Sequence, residues 1–205
     1  MKASEPLCLV INGPSAAAKS TLTTTIQGRS ELPLLRFGLD ELFQMVPDHW
    51  GGGLPGARHS DRGFSYREVP GIDGARRIHC GSDGHTMLRA MNAAIIAMLR
   101  EGQGVVVDGQ AFEPVINQEL ESGLRKLEDE RSACVFVAEL QVDDTELVDR
   151  QRRHRHPAGL SLFHNRLPPQ SMHPDLRLDT THMDSDHVAE SVWNQLVVRY
   201  PSISA

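Results

Sequence analysis

Short runs of apolar residues alternate along the chain with segments in which apolar residues recur at helical spacing. Continuous apolar runs are typical of strands buried on both faces of a parallel sheet. We place strands at Leu7–Ile11, Leu34–Phe37, Val105–Asp108, Cys134–Leu140 and Leu176–Asp179. Helices are predicted at Lys19–Arg29, Glu41–Val46, Pro114–Glu130 and Thr145–Arg153. Two more are marked by apolar faces: Met87–Leu99, in a helix closed by Gly102, and Val188–Val197, in a helix that starts at Asp184 or Ser185. This alternation predicts an α/β fold, a parallel sheet of about five strands with helices on both faces.

Residues 48–84 interrupt this alternation. The segment is dense in glycine and shows little helical periodicity, and we expect it to contain one hairpin around Phe64–Val69. Irregular segments of this length inside compact domains usually serve a function. We therefore treat 48–84 as an excursion from a single domain that spans residues 1–205.

Composition narrows the possible partners. The net charge of −6 argues against a general binder of nucleic acid or of an anionic membrane, because such proteins carry excess positive charge. The apolar stretch Met87–Leu99 is too short to span a bilayer, and Leu7–Ile11 is too short for the core of a signal peptide. With 3 cysteines and no C-x-x-C pair, we expect a cytoplasmic protein with reduced thiols. The oligomeric state is left open.

A phosphate-loop pattern lies directly between the first predicted strand and the first predicted helix. Backbone N–H groups and the positive end of a helix in such a loop hold a polyphosphate. A lysine adds charge at the outer phosphates, and the following hydroxyl is a ligand for Mg²⁺. We expect nucleotide contacts from Gly13, Pro14, Ser15, Ala16, Ala17, Ala18, Lys19, Ser20 and Thr21, with Ser20 also binding the metal.

The loop departs from the usual pattern at Ala18, where the second glycine is expected. An alanine is acceptable there if its φ stays negative and its methyl group clears the phosphates. The alternative is a strand–turn–helix of small residues that binds nothing.

Two carboxylates follow predicted strands whose carboxyl ends share the edge of the sheet with the phosphate loop. Asp40 could accept a proton from a substrate hydroxyl, or it could cap the helix Glu41–Val46. Asp108 could hold Mg²⁺ through water or position Ser20, or it could form a turn with Gly109.

Arginines cluster after an acidic stretch, at Arg150, Arg152, Arg153 and Arg155. The spacing of Glu146 with Arg150, and of Asp149 with Arg153, suits ion pairs along an exposed helix. Given the phosphate loop, we favour a lid over about residues 150–167 whose arginines neutralise a transferring phosphoryl group. The histidines show no spacing typical of a metal site.

Together these segments resemble the chloramphenicol phosphotransferase family of small antibiotic kinases. The likeness rests on Val10–Ser15 with Lys19-Ser20-Thr21, on Phe37-Gly38-Leu39-Asp40 with Leu42 and Pro47, on Asp143–Arg150, on Leu178-Asp179-Thr180-Thr181, and on the strand Val105–Asp108. These segments follow the family's order over most of the chain. Ala18, the arginine run and residues 51–84 depart from it.

The resemblance implies a P-loop kinase-like fold with an arginine lid, ATP and Mg²⁺ as cosubstrates, and a small hydroxylated acceptor. It implies that Lys19 and Ser20 bind the phosphates and the metal, that Asp40 is the base, and that an arginine among Arg150, Arg153 and Arg155 stabilises the transferred group. Residues 51–84 should form much of the acceptor pocket. A metabolite or nucleoside kinase, and a nucleotide-binding protein without turnover, are the alternatives.

Overall fold

The computed structural model describes residues 5–51, 56–109, 113–153, 159–165 and 172–204. Five strands form a parallel sheet in the order β2-β5-β1-β6-β7, and two more form an antiparallel hairpin, β3 with β4. The strands are β1 Leu7–Asn12, β2 Leu34–Gly38, β3 Phe64–Glu68, β4 Arg76–Cys80, β5 Gly104–Asp108, β6 Cys134–Gln141 and β7 Leu176–Asp179. The predicted α/β class and the five-stranded parallel sheet are confirmed.

Seven helices are described within those ranges. They are α1 Lys19–Arg29, α2 Leu39–Met45, α3 Ser82–Arg100, α4 Pro114–Asp129, α5 Asp144–Arg153, α6 Leu160–Asn165 and α7 Ser185–Arg199. Short 3₁₀ turns cover Asp48–Trp50 and Pro201–Ser204. The residues at two helix N-termini favour a helix start there. Pro114 is the first residue of α4, and Asp184 caps α7, where its carboxylate accepts the His187 N–H at 2.9 Å.

The sheet separates two hydrophobic cores. One core contains Leu88, Ile95, Leu120 and the hairpin residue Phe64, so it packs α3, α4 and the hairpin against one face. The other contains Leu22, Leu147 and Val192 from α1, α5 and α7. Helices therefore cover both faces, and every residue of the central strand β1 is buried.

The order of the strands places a crevice beside β1. From β1 the chain passes to β2 and β5 on one side and to β6 and β7 on the other. In open α/β sheets, ligands bind at the carboxyl ends of the strands where the direction of winding reverses. The segment that follows β1 lies at that point, and it is the predicted phosphate loop.

Candidate active site

The loop between β1 and α1 has a tightly curled backbone. Gly13 has φ +148°, and a Cβ there would lie 2.8 Å from the carbonyl oxygen of Leu140, so the end of β6 excludes a side chain. The Ala17 N–H donates to the Pro14 carbonyl at 3.2 Å, which closes a turn around Ser15 and Ala16. Lys19, Ser20 and Thr21 then form the first turn of α1, whose N–H groups have no partner within the helix.

Ala18 takes a left-handed conformation. Its φ is +68° and its ψ is 21°, and Ala16 has φ +67°. The negative φ that we set as the condition for an acceptable alanine is therefore not met. The loop retains the backbone that a glycine would adopt, and each alanine bears a strain of about 1–2 kcal/mol. Such strain persists where the surrounding structure enforces it, often at ligand sites.

Lys19 is folded back onto its own loop. Its Nζ donates to the Pro14 carbonyl at 2.7 Å. Burial lowers the pKa of the Lys19 ammonium, while the carboxylates of Asp108 and Asp40 act in the opposite direction. The first turn of α1 contains no acidic residue, so a cation occupies the positive end of a helix dipole. This arrangement favours an anion in the loop.

Ser20 and Asp108 lie together as predicted. The Ser20 hydroxyl donates to Asp108 Oδ2 at 3.3 Å, and Asp108 is buried at the end of β5. Hydroxyl and carboxylate oxygens are the ligands that Mg²⁺ prefers, and oxygens about 3 Å apart fit neighbouring vertices of an octahedron with bonds of about 2.1 Å. The two residues therefore fit a magnesium site completed by water and phosphate oxygens.

Arg36 holds this carboxylate in place. From β2, its Nη2 donates to Asp108 Oδ2 at 2.9 Å, and its Nε lies 2.8 Å from Glu41 Oε1. In the strand register, Arg36 pairs with Val106, which puts it one diagonal step from Asp108 on the same side of the sheet. Arg36 was not predicted as a site residue, because an arginine in an apolar strand does not indicate from the sequence which side chain it will contact.

Asp40 lies within the first turn of α2 and is exposed. The helix begins at Leu39, and its N-cap residue is Gly38, so the interpretation of Asp40 as the cap of Glu41–Val46 is wrong. Gly38 lets β2 approach β5, since a Cβ there would lie 2.5 Å from the Asp108 carbonyl oxygen. Asp40 is thus left at the same edge of the sheet as Lys19 and Asp108.

The β3–β4 hairpin approaches Asp40 from the side of the excursion. Burial raises the pKa of the Tyr66 hydroxyl on β3, and the negative charge of Asp40 raises it further. Phe43 of α2 packs edge-to-face on Phe64, with ring centroids 5.0 Å apart. The Tyr66 side chain therefore lies near the exposed carboxylate, whereas Phe64 is buried in the core. The structure confirms a hairpin at the predicted place, with Phe64–Glu68 as its first strand, but Tyr66 was not predicted as a site residue.

Gly159 and α6, which lie within the predicted lid region, are attached to this hairpin. The Arg76 N–H donates to the Gly159 carbonyl at 3.1 Å. Gly159 has φ +87°, and a Cβ there would lie 2.1 Å from the Gly74 carbonyl oxygen. The Ser161 hydroxyl also donates to Gln151 Oε1 on α5. Hydrogen bonds thus connect the hairpin to the start of α6, and α6 to α5.

The arginines of α5 are engaged with protein groups. Arg150 donates from Nε to Glu146 at 2.9 Å, as its spacing predicted, and from Nη2 to the carbonyls of Thr180 and Thr181. Arg153 pairs with Glu146 at 2.8 Å rather than with the Asp149 carboxylate, which lies 3.6 Å from Arg152. Arg155 lies outside the described residues. The lid role of these arginines stays a prediction.

Metal-ligand clusters and membrane-spanning helices are both absent from the described residues. No group of three or more His, Cys, Asp or Glu side chains could hold a metal ion in that part of the chain. No helix there is long and apolar enough to cross a membrane.

Comparison of the sequence with family models gave one informative match. A family described as chloramphenicol phosphotransferase-like protein matches residues 7–197. No curated protein matches the chain.

Solved structures share the fold over almost the whole chain. A sugar kinase from Janibacter sp. superimposes with a TM-score of 0.60 at 15% identity, covering 98% of this chain and 99% of that one. The tunicamycin resistance protein of Deinococcus radiodurans superimposes with a TM-score of 0.56 at 19% identity, covering 93% of this chain and 95% of that one. The APS kinase of Mycobacterium tuberculosis, solved with AMPPNP and APS, superimposes with a TM-score of 0.52 at 18% identity. The match covers 94% of this chain and 98% of that one. At these identities the likeness shows the fold, that of P-loop kinases.

Proposed function

We propose an activity from the premise that this chain belongs to the chloramphenicol phosphotransferase-like family, as the match over residues 7–197 shows. It is an ATP-dependent O-phosphotransferase that transfers the γ-phosphate of ATP to a hydroxyl group of a small molecule. The observation that carries the proposal is that Lys19, Asp108 and exposed Asp40 converge at one edge of the sheet. Beside them lie a strained loop and the start of α1, which no side chain caps.

Each of these residues has a separate role in the proposed phosphoryl transfer. The acceptor hydroxyl oxygen bonds to the γ-phosphorus, its proton passes to the Asp40 carboxylate, and ADP leaves with the electron pair of the broken bond. Lys19 and the amides at the start of α1 hold the phosphates. Ser20 and Asp108 would hold Mg²⁺, which neutralises phosphate charge when bound. Arg150, Arg153 or Arg155 would add positive charge from the lid.

We propose an antibiotic of the chloramphenicol type as the acceptor. The family description supports this choice, and the partly exposed rings of Phe43 and Tyr66 near Asp40 suit an acceptor with apolar as well as hydroxylated parts. A fold shared with a tunicamycin resistance protein is in keeping with this choice. Since ATP is abundant in the cytoplasm, we place the activity there.

A metabolite or nucleoside kinase is the second candidate. The exposed carboxylate of Asp40 suits any hydroxylated small molecule, and a structure described as a sugar kinase shares the fold. A screen decides between the two. The protein is incubated with ATP and Mg²⁺ and a panel of antibiotics, sugars and nucleosides, and each product is examined by mass spectrometry for an added phosphate. A phosphorylated sugar or nucleoside with no phosphorylated antibiotic would replace our first choice of acceptor.

Replacement of Asp40 tests the mechanism. We expect Asp40→Asn to lower kcat by about 10²–10⁴-fold, the usual contribution of a general base, and to leave nucleotide affinity unchanged. Asp186→Asn is a matched control, because Asp186 is also an exposed acid in the first turn of a helix, α7. Turnover of the Asp40 variant equal to that of the control would refute the role of Asp40.

Calorimetric titration with Mg²⁺·ATP distinguishes the two kinase proposals, antibiotic kinase and metabolite or nucleoside kinase, from a protein whose phosphate loop no longer binds nucleotide. If the natural protein fails to bind nucleotide while Ala18→Gly binds it, the loop is degenerate and the proposed activity falls.

A further inference from the structure

His164 on α6 contains a buried polar atom without a partner. Its Nε2 has almost no exposed surface and makes no hydrogen bond to any described residue. An unpaired nitrogen in such a place costs free energy, and a buried polar group without a partner calls for a physical reason. A ligand that supplies the missing partner is such a reason.

The helix that carries His164 is fixed by its other residues. Leu160 is buried in the same core as the hairpin, fully buried Ser161 donates to Gln151, and Gly159 accepts from Arg76. Phe163 packs its ring against the imidazole with centroids 5.7 Å apart. His164 is therefore not needed to anchor α6, and its ring is held in place by neighbours that make no polar contact with Nε2.

The imidazole lies within electrostatic range of the Lys19 ammonium. Burial lowers the pKa of His164 to about 4, and the Lys19 ammonium is close enough to lower it further than burial alone would. The imidazole is accordingly neutral at physiological pH, so it can donate one N–H without placing a second cation beside Lys19. The ligand atoms expected beside a phosphate-loop lysine are the outer phosphate oxygens.

We propose that neutral His164 donates a hydrogen bond from Nε2 to the terminal phosphoryl group of a nucleoside triphosphate bound at Lys19. His164 then distinguishes a triphosphate from a diphosphate. This inference rests on the proposed function only in taking ATP as the nucleotide. It gives α6, the described part of the lid region, a contact to phosphate through a neutral group rather than an arginine.

Calorimetry with two nucleotides tests the assignment. Mg²⁺·AMPPNP and Mg²⁺·ADP are titrated into the natural protein, His164→Leu and His164→Gln. We expect His164→Leu to bind AMPPNP at least tenfold more weakly and ADP unchanged, because a hydrogen bond to a charged group is lost only from the triphosphate complex. Glutamine, which places an amide near the Nε2 position, should restore most of the affinity.

Phe163→Leu is the control, since it reduces packing in the same helix without touching a polar group. Thermal unfolding of each unliganded variant shows whether it is folded, and we expect His164→Leu to be no less stable than the natural protein because it removes an unpaired polar atom. A histidine with a merely structural role would instead make that variant less stable.

The outcomes separate the two proposals. If the natural protein binds neither nucleotide, the proposed function fails and takes this inference with it. If it binds both, and His164→Leu weakens both equally or neither, only the role of His164 is refuted. A His164→Leu variant that binds both nucleotides normally but has a raised KM for an acceptor found in the screen would assign Nε2 to the acceptor and also overturn it.

Discussion

Ala18 shows how a loop can keep its shape after the residue that suits it has been replaced. With φ at +68°, the alanine follows the path that glycine takes without strain. The buried turn at Ala17 and Pro14 and the start of α1 hold it there. The alanine at position 18 therefore lowers the stability of the protein and leaves the backbone conformation of the loop as a glycine would have it.

Ala18→Gly should make the protein more stable and leave nucleotide binding intact. Relief of left-handed strain gains about 1–2 kcal/mol, and the greater freedom of glycine in the unfolded chain offsets about 0.4–1 kcal/mol of this. We expect a net gain of about 1 kcal/mol, or about 2–4 °C in Tm. Chemical denaturation and calorimetry with Mg²⁺·ATP measure both effects.

Ala17→Gly is the control for that experiment. Ala17 is fully buried and is not among the residues with positive φ, so the same change should destabilise the protein. A loss of stability in Ala18→Gly as large as that in Ala17→Gly would contradict the strain that we assign to the loop.

Individual site residues were predictable from sequence when the chain itself places them at strand ends. Lys19, Ser20 and Asp108 follow from that rule, as does the position of Asp40. Arg36, Tyr66 and His164 were not predictable, because each reaches the site through contacts between segments far apart in the chain. The bond from Arg36 to Asp108 depends on the β2–β5 register, and the burial of His164 depends on where α6 packs.

At the scale of elements, the link between the hairpin and α6 ties the acceptor side of the site to the lid region. The Arg76 N–H to Gly159 carbonyl bond connects two segments that the sequence gives no reason to join. The close approach of Gly159 to Gly74 leaves no room for a side chain. Movement of α6 is therefore expected to be transmitted to the hairpin.

Gly159→Ala should break this link. Both Gly159 and Gly71 have positive φ, but a Cβ at Gly71 would meet no atom within 4 Å. Gly71→Ala thus carries the backbone strain alone, about 1 kcal/mol, whereas Gly159→Ala adds a clash of about 1–3 kcal/mol. We expect Gly159→Ala to lower stability further and to raise the hydrogen-exchange rate of the Arg76 amide. Equal exchange in the two variants would show that the link is not maintained by this contact.

Prediction of the elements succeeded where burial leaves a simple pattern. The three inner strands β1, β5 and β6 appear as apolar runs because both of their faces are covered, whereas the edge strands β2 and β7 contain exposed and charged residues. The second hairpin strand, Arg76–Cys80, was not predicted, because its first two residues are exposed arginines and its pattern is weak. Helix α3 begins at Ser82, well before the apolar stripe that marked it, since its first turn lies beside the hairpin and is largely polar.

For the whole molecule, the two cores share one sheet and should unfold together. The protein has 2 tryptophans, and they report on opposite faces: Trp50 packs against one core and Trp193 against the other. In Trp193→Phe and Trp50→Phe, each of which retains one tryptophan, we expect the fluorescence transition to coincide with the far-UV circular dichroism transition. Separate midpoints in either variant would contradict a single cooperative domain.

The bond from Lys19 to the Pro14 carbonyl occupies one of the three N–H donors of the ammonium. The other two donors stay available, so Lys19 can hold its place in the loop and contact an anion at the same time. The carbonyl thereby fixes where the positive charge lies before any anion binds, which lowers the conformational entropy that the side chain loses on binding. In a molecule with net charge −6, we therefore expect the loop to gain affinity for phosphate from a charge that is already in position.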